Sequence, residues 1–194
     1  MRRTILVILG AWTLIPLAGC DKAGDNTGDK TGAASTGEPG AATLTAAIGG
    51  AAGMSTMAAA LKSTGLGTVF EGTAPYTVLA PQDDAFGAMG ETAAMLKAPE
   101  NGAAMAAVIK AHVLPGYMAV ADIDAALKTA RGKPVKMTTM AGSEVTFTRT
   151  GDTLTVTAAD GSTARLSGAE VKAGNGVAIP IDGVLKKIPE PPAG

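Results

Sequence analysis

Two adjacent carboxylates, Asp83 and Asp84, follow a proline and precede the apolar pair Ala85-Phe86 in the stretch YTVLAPQDDAF. Paired acids divide general-acid and general-base work when their surroundings push the two pKa values apart. At the start of a helix the same pair does something plainer. It accepts hydrogen bonds from unpaired backbone N–H groups and faces the positive end of the helix dipole, a cap worth about 0.5 to 2 kcal/mol. A β-type run at residues 76–80, stopped by Pro81 and followed by a helical start at 85–89, puts both acids at a helix N-terminus. Capping is therefore the expected role.

The other reactive side chains are few. His112 is the only histidine and Cys20 the only cysteine. A structural zinc site of Cys and His ligands lacks its ligands, a serine triad needs a positioned serine and acid, and no Gly-x-Ser-x-Gly segment exists to present one. His112 is expected to be a structural group, hydrogen-bonded at a helix-to-strand corner. Eight methionines besides Met1 raise copper handling. Met54 and Met57 share a helix face, however, and Met137 and Met140 point to opposite sides of an expected strand, so packing is the reading for all of them. No catalytic residue, metal or cofactor is expected.

Residues 43–190, a segment of 148, have the size of a single domain with its own core and no internal repeat. The first half reads as helices. Met54, Met57, Leu61 and Thr64 recur at three-to-four spacing before Gly65; Met105, Val108, Ile109 and His112 line one face after Pro99; Ile123 and Leu127 stand four apart within 121–130. In the second half the period falls to two: Val135, Met137 and Thr139, then Val145 and Phe147, then Leu154 and Val156. Ala141-Gly142, Gly151-Asp152 and Asp160-Gly161 punctuate these runs, the last as a two-residue hairpin signal. An α+β fold with an antiparallel meander, wet on one face, is expected.

The N-terminus carries an address. Arg2 and Arg3, an apolar run from Ile5, and Leu17-Ala18-Gly19-Cys20 form an export signal, and 16 residues from Thr4 to Gly19 fall short of the roughly 20 needed to span a bilayer. Leu17-Ala18-Gly19-Cys20 resembles the lipobox of bacterial lipoproteins, which implies cleavage of residues 1–19, acylation of Cys20, and a membrane tether rather than a span. The stretch 20–42 then offers no Val, Ile, Leu or aromatic residue to bury and is expected to be a disordered spacer, roughly 25 Å in root-mean-square span. Loss of the leader leaves 14 basic against 17 acidic side chains, a net charge of −3. Neither a basic groove nor an aromatic platform for nucleic acid is visible.

Three motifs in order point to one family. Thr77-Val78-Leu79-Ala80-Pro81-Gln82-Asp83-Asp84-Ala85-Phe86 resembles the first signature of the fasciclin, or FAS1, domain; His112-Val113-Leu114-Pro115-Gly116 resembles its central segment; Asn175-Gly176-Val177-Ala178-Ile179-Pro180-Ile181-Asp182-Gly183-Val184-Leu185 is similar to its closing signature. Residues 54–70 resemble the leading helix and its exit. The resemblance covers nearly all of 43–190 and implies a β-sandwich or wedge of antiparallel strands with several short helices packed along it, residues 191–194 being left as a tail. It implies structural roles for Thr77, Pro81, Asp83, Phe86, His112, Pro115, Gly116, Asn175, Gly176 and Asp182, the last as a backbone-capping acid. Pro180 lacks a ladder donor, so its strand is expected to be an edge or to bulge there. The Tyr-His pair tied to integrin contact in animal members is missing, since residue 111 is Ala111. The implied function is a lipid-anchored module of the bacterial cell envelope, facing periplasm or cell surface, that binds an envelope or matrix protein or polysaccharide in adhesion or surface assembly without catalysis. The alternative is a small-ligand-binding or hydrolytic envelope protein using a cleft near His112.

Overall fold

Two strands that lie about a hundred residues apart in the chain make the middle of the molecule, and both are buried nearly throughout. The computed structural model describes residues 42–188. The expected leader, Cys20, the spacer up to residue 41 and the tail at 191–194 lie outside the described residues. The helical half contains α1 (Leu44–Gly50), α2 (Ser55–Ser63), a 3₁₀ helix (Leu66–Glu71), β1 (Tyr76–Pro81), α3 (Asp83–Gly87), α4 (Glu91–Lys97) and α5 (Gly102–Ala111). Then come β2 (Val113–Pro115), α6 (Val120–Thr129), β3 (Val135–Thr138), β4 (Glu144–Thr150), β5 (Thr153–Ala158), β6 (Thr163–Arg165), β7 (Val171–Ala173) and β8 (Gly176–Ile181).

The strands form two sheets, ordered β2-β1-β8-β7 and β3-β4-β5-β6. The first is the central layer. On one face Val78, Ala80, Val113 and Ala178 pack against Leu44, Ile48, Met57, Leu61, Met105 and Ile109 from the helices. On the other, Leu79, Leu114, Val177, Ile179 and Ile181 meet Val145, Phe147 and Val156 of the second sheet, with Ile123 and Leu127 of α6 completing that core. A sheet covered on both faces reads as a continuous apolar run, whereas one that is half wet alternates. That difference separates β1 and β8 from β4 and β5. Met137 packs into the inter-sheet core and Met140, in the turn beyond β3, against the helical one.

The α+β architecture expected from sequence is present, with three local departures. First, the strands are not all antiparallel: β1 and β8 run parallel, Tyr76 opposite Gly176 through Pro81 opposite Ile181. Second, β8 is an interior strand and carries Pro180 without a bulge. The Gln82 N–H donates to the Ile181 carbonyl, so in a parallel ladder the nitrogen of residue 180 faces away from β1. There β7 has already ended opposite Ala178, and the Pro180 carbonyl instead accepts from the Ser167 N–H at 2.9 Å. No ladder donor is lost. Third, Asp160-Gly161 is not a two-residue hairpin. Ala158 N–H donates to Ser162 O while Gly161 N–H donates to Ala158 O, which makes a three-residue loop with Gly161 at φ 82°. The β4–β5 connection is the two-residue one, with Gly151 at φ 60°.

The parallel pair leaves no room at its start. A Cβ on Gly176 would fall within 3.0 Å of the Tyr76 carbonyl oxygen and 2.8 Å from Leu44 Cδ2. The first of these neighbours is backbone and cannot yield without moving β1. Gly176→Ala is expected to cost about 3 kcal/mol or more, at the upper end of overpacking penalties, read as a lowered urea midpoint at unchanged slope. Ala at Gly87, which has open space around it, is the control and should leave the midpoint within about 0.5 kcal/mol.

Candidate functional site

The three motifs meet at the ends of the central sheet, and each contributes a polar side chain. His112 caps the C-terminus of α5 and is fully buried. Its Nδ1 lies 2.7 Å from the Val108 carbonyl oxygen, and its Nε2 accepts the Leu185 N–H at 2.8 Å. The amide is a donor, so Nε2 must carry the lone pair and Nδ1 the proton. Both nitrogens are committed. Burial pushes the imidazole from its ordinary 6.5 down to about 4, against smaller upward effects from the Val108 bond and the Asp160 carboxylate.

Asp83 does cap a helix, but another one. Its own helix, α3, begins after Gln82 with no side-chain cap. The carboxylate instead reaches α2, whose N-cap Met54 makes no side-chain cap bond. Oδ1 takes the Thr56 N–H at 2.7 Å, and Oδ2 takes the Ser55 N–H at 3.2 Å and the Ser55 hydroxyl at 2.8 Å. The Asp83 N–H donates to the Gly53 carbonyl, which brings the two segments together. Partial desolvation raises this carboxyl, yet the bonds from Thr56 and Ser55 outweigh it and hold the pKa below the usual value.

Asp182 and Asn175 are spent on main chain as well. Asp182 Oδ1 accepts the Arg165 N–H at 2.6 Å, while the Asp182 N–H returns a bond to the Arg165 carbonyl. Asn175 Oδ1 accepts the first N–H of α1, from Leu44, at 2.8 Å; its Nδ2 donates to Phe70 O at 2.6 Å and Gly72 O at 2.7 Å. The buried Thr77 hydroxyl donates to Gly116 O at 2.8 Å and accepts the Met118 N–H at 2.9 Å. Pro115 stands opposite Tyr76, and Gly116 turns the chain at φ 99°. Pro81 ends β1, and Phe86 fills the interior with about 1% of its surface exposed. These side chains point to different segments and do not converge.

Two further clamps had no signal in any local pattern. Glu170 accepts the Val120 N–H at the start of α6 from 50 residues away, and Asp160 accepts the Lys187 N–H at 2.7 Å. A hollow of about 320 Å³ does exist, lined by Ser55, Thr56, Ala59, Ala60, Ser63, Lys97 and Met105. Its lining falls largely on α2, and Ser55 and Thr56 there are the partners of Asp83, while His112, Asn175 and Asp182 stand elsewhere. Among the described residues no group of three His, Cys, Asp or Glu side chains is placed to hold a metal ion.

These bonds set measurable stabilities. His112 is neutral when folded and takes up a proton more readily when unfolded, so its contribution is full above about pH 6.5 and is lost as pH falls toward about 4, on the order of 3 kcal/mol. His112→Gln should be less stable at pH 7 but lack this slope between pH 6.5 and 5. A wild-type profile that stays flat there contradicts the assignment. Asp83, with its lowered pKa, loses its contribution only as pH falls below 3.8, so the two windows separate. Asp83→Ala should cost about 2 kcal/mol and Asp83→Asn about half of that, since charge-assisted caps are the stronger ones; chemical denaturation reads both.

The Fasciclin domain family model matches residues 52–187. A protein of Synechocystis sp., sll1483, is 30% identical over 132 residues, which span 68% of this chain and 66% of the relative. A solved FAS1 domain pair from the insect cell adhesion molecule fasciclin I shares the fold at a TM-score of 0.66 and 13% identity, over 76% of this chain and 52% of that one. The chain thus spans about half the length of the solved pair and just under two thirds of the relative. With the family match beginning just beyond α1 and running to the Lys187 clamp, through all three motifs, this chain belongs to the fasciclin domain family.

Proposed function

We propose that the protein is a lipid-anchored, non-catalytic adhesion module of a bacterial cell envelope, held to its membrane through acylated Cys20 and binding an envelope or matrix protein or polysaccharide. Fasciclin domains are generally non-catalytic adhesion modules, and that supports the coarse part of this reading. The observation that carries it here is the state of His112. The single imidazole of the chain has no exposed surface, no free lone pair and no proton to transfer without breaking a buried bond. A general base must reach its substrate within hydrogen-bond distance. The alternative, a hydrolytic or ligand-binding cleft near His112 and the Asp83 turn, is less favoured: the hollow in the helical layer is lined by Ser55 and Thr56, which hold the Asp83 carboxylate, and not by His112.

Removal of the gene should lower attachment or aggregation of the host cells, and re-expression of the full chain should restore it. Unchanged attachment, aggregation and surface composition on deletion would count against adhesion. The anchor is tested separately: labelled fatty acid should appear on the wild-type chain and be absent from Cys20→Ala, which should leave the membrane fraction. Equal labelling of both would remove the lipid anchor and leave the adhesive reading to the attachment assay.

A further inference from the structure

The outer face of the second sheet is a regular array of hydroxyls. Buried Val145, Phe147, Leu154, Val156 and Ala164 point inward, so the alternate positions lie on the outer face, where Thr146, Thr148, Thr155 and Thr157 are half-buried and Thr150, Thr153 and Thr163 exposed. In the observed register Thr146 stands opposite Thr157, Thr148 opposite Thr155, and Thr150 opposite Thr153. Thr163 of β6 extends the first of these rows beyond Thr157. Neighbours lie about 4.8 Å apart across strands and about 6.8 Å apart along them. The side-chain hydrogen bonds of this sheet, such as Arg149 to the Gly151 carbonyl and Lys136 to Glu144, use none of these hydroxyls among the described residues.

Charge is confined to the rim. Lys136 and Glu144 pair with each other at 3.2 Å on β3 and β4, and Arg165 closes the far edge on β6. A wet sheet face needs only soluble residues, and a mixture of lysine and glutamate serves that purpose and guards against edge pairing. An uncharged interior of β-branched alcohols is a narrower choice. Each threonine brings one donor and two acceptors on a stiff χ1, so little rotamer freedom is lost when it is engaged.

We infer that this threonine face is the contact surface for a neutral, hydroxyl-rich polysaccharide, which rests on the adhesive reading above and supplies its partner class. The uncharged, hydroxyl-rich centre of the face selects the occupant. Lys136 stands opposite Thr146 and Arg165 opposite Thr155. They lie on opposite edge strands and Lys136 is paired with Glu144, so they form no continuous cationic track for an anionic polymer, and a protein partner finds no aromatic anchor among the threonines. Among the described residues the exposed large apolar side chains, Val69 and Tyr117, lie outside this sheet. An extended neutral glycan offers what the face lacks: alternating donors and acceptors without charge, repeated along a chain. Single contacts are weak, and repetition along the polymer multiplies them.

The full chain, solubilised from expressing cells, is tested for retention on particles of an insoluble neutral β-linked glucan, an N-acetylglucosamine polymer, an anionic uronic-acid polymer and immobilised gelatin. Retention on a neutral polymer is expected, with little change between about 0.1 and 1 M salt. Replacing Thr146, Thr148, Thr155 and Thr157 together by valine keeps the β-branch and the fold, checked by an unchanged melting temperature, and should weaken that retention about tenfold or more. Retention of this variant equal to wild type overturns the proposal. So does wild-type binding to neither neutral polymer, or only to the anionic polymer or to gelatin. In cells, attachment lost on deletion but intact in the valine variant dismisses this face and keeps the adhesive reading, whereas attachment unaffected by deletion dismisses that reading instead.

Discussion

The parallel pairing of β1 with β8 is the constraint on which the rest of the molecule depends. It joins residues 76–81 to residues 176–181 across the whole domain, with helices on one face and a second sheet on the other. A layer buried on both sides cannot give its ends to water cheaply, because an unpaired buried backbone group costs about 1 to 3 kcal/mol. The segments entering and leaving the two strands must therefore find partners inside the protein. Asn175 serves the entrance, accepting α1's first N–H and donating to two carbonyls around the 3₁₀ helix. Gln82, Asp83 and Asp182 serve the exit, and His112 ties the neighbouring strand to the chain beyond β8. The motif residues are thus a set of main-chain partners placed where one buried sheet terminates.

Asp83 shows why its carboxylate does not turn reactive. A catalytic acid needs a raised pKa, obtained by desolvation or by a neighbouring negative charge. Desolvation is the largest single effect on this group, but two backbone amides and a hydroxyl of α2 outweigh it. The outcome is a carboxylate held more firmly in its charged form. His112 is the mirror case: the neutral form of a base is favoured by burial and fixed in one tautomer by an amide that only donates. Both groups are locked in the protonation state that suits the backbone, and neither is poised to exchange a proton near neutral pH.

Much of this was legible in the chain, and the limits have physical causes. The second sheet could be read from alternation because one of its faces is wet, and α5 and α6 from three-to-four spacing over ten residues each. The central sheet gave no alternation to read, and the pairing of β1 with β8 is not encoded in any window shorter than the domain. Short elements escaped for a similar reason: α1 and α4 have seven residues each, too few for periodicity to rise above chance. The preference of aspartate for helix starts correctly identified what Asp83 bonds to, unpaired N–H groups, but named the wrong helix. The preference describes the donor's chemistry and carries no information about which helix start lies nearby in space. Glu170 capping Val120 belongs to the same class.

That division bears on where recognition can reside. A ligand that engaged His112, Asp83 or Asn175 would first have to break a bond that already satisfies the backbone, leaving a buried group unpaired at a cost of about 1 to 3 kcal/mol before any contact is gained. A hydroxyl on the outer face of β4 or β5 exchanges one water for one ligand atom and leaves the ladder beneath it intact. The motifs therefore report the fold more securely than the partner. Specificity is more cheaply placed on surfaces whose donors and acceptors are still open, which in this molecule directs attention from the polar clamps at the sheet ends to the solvent side of its outer sheet.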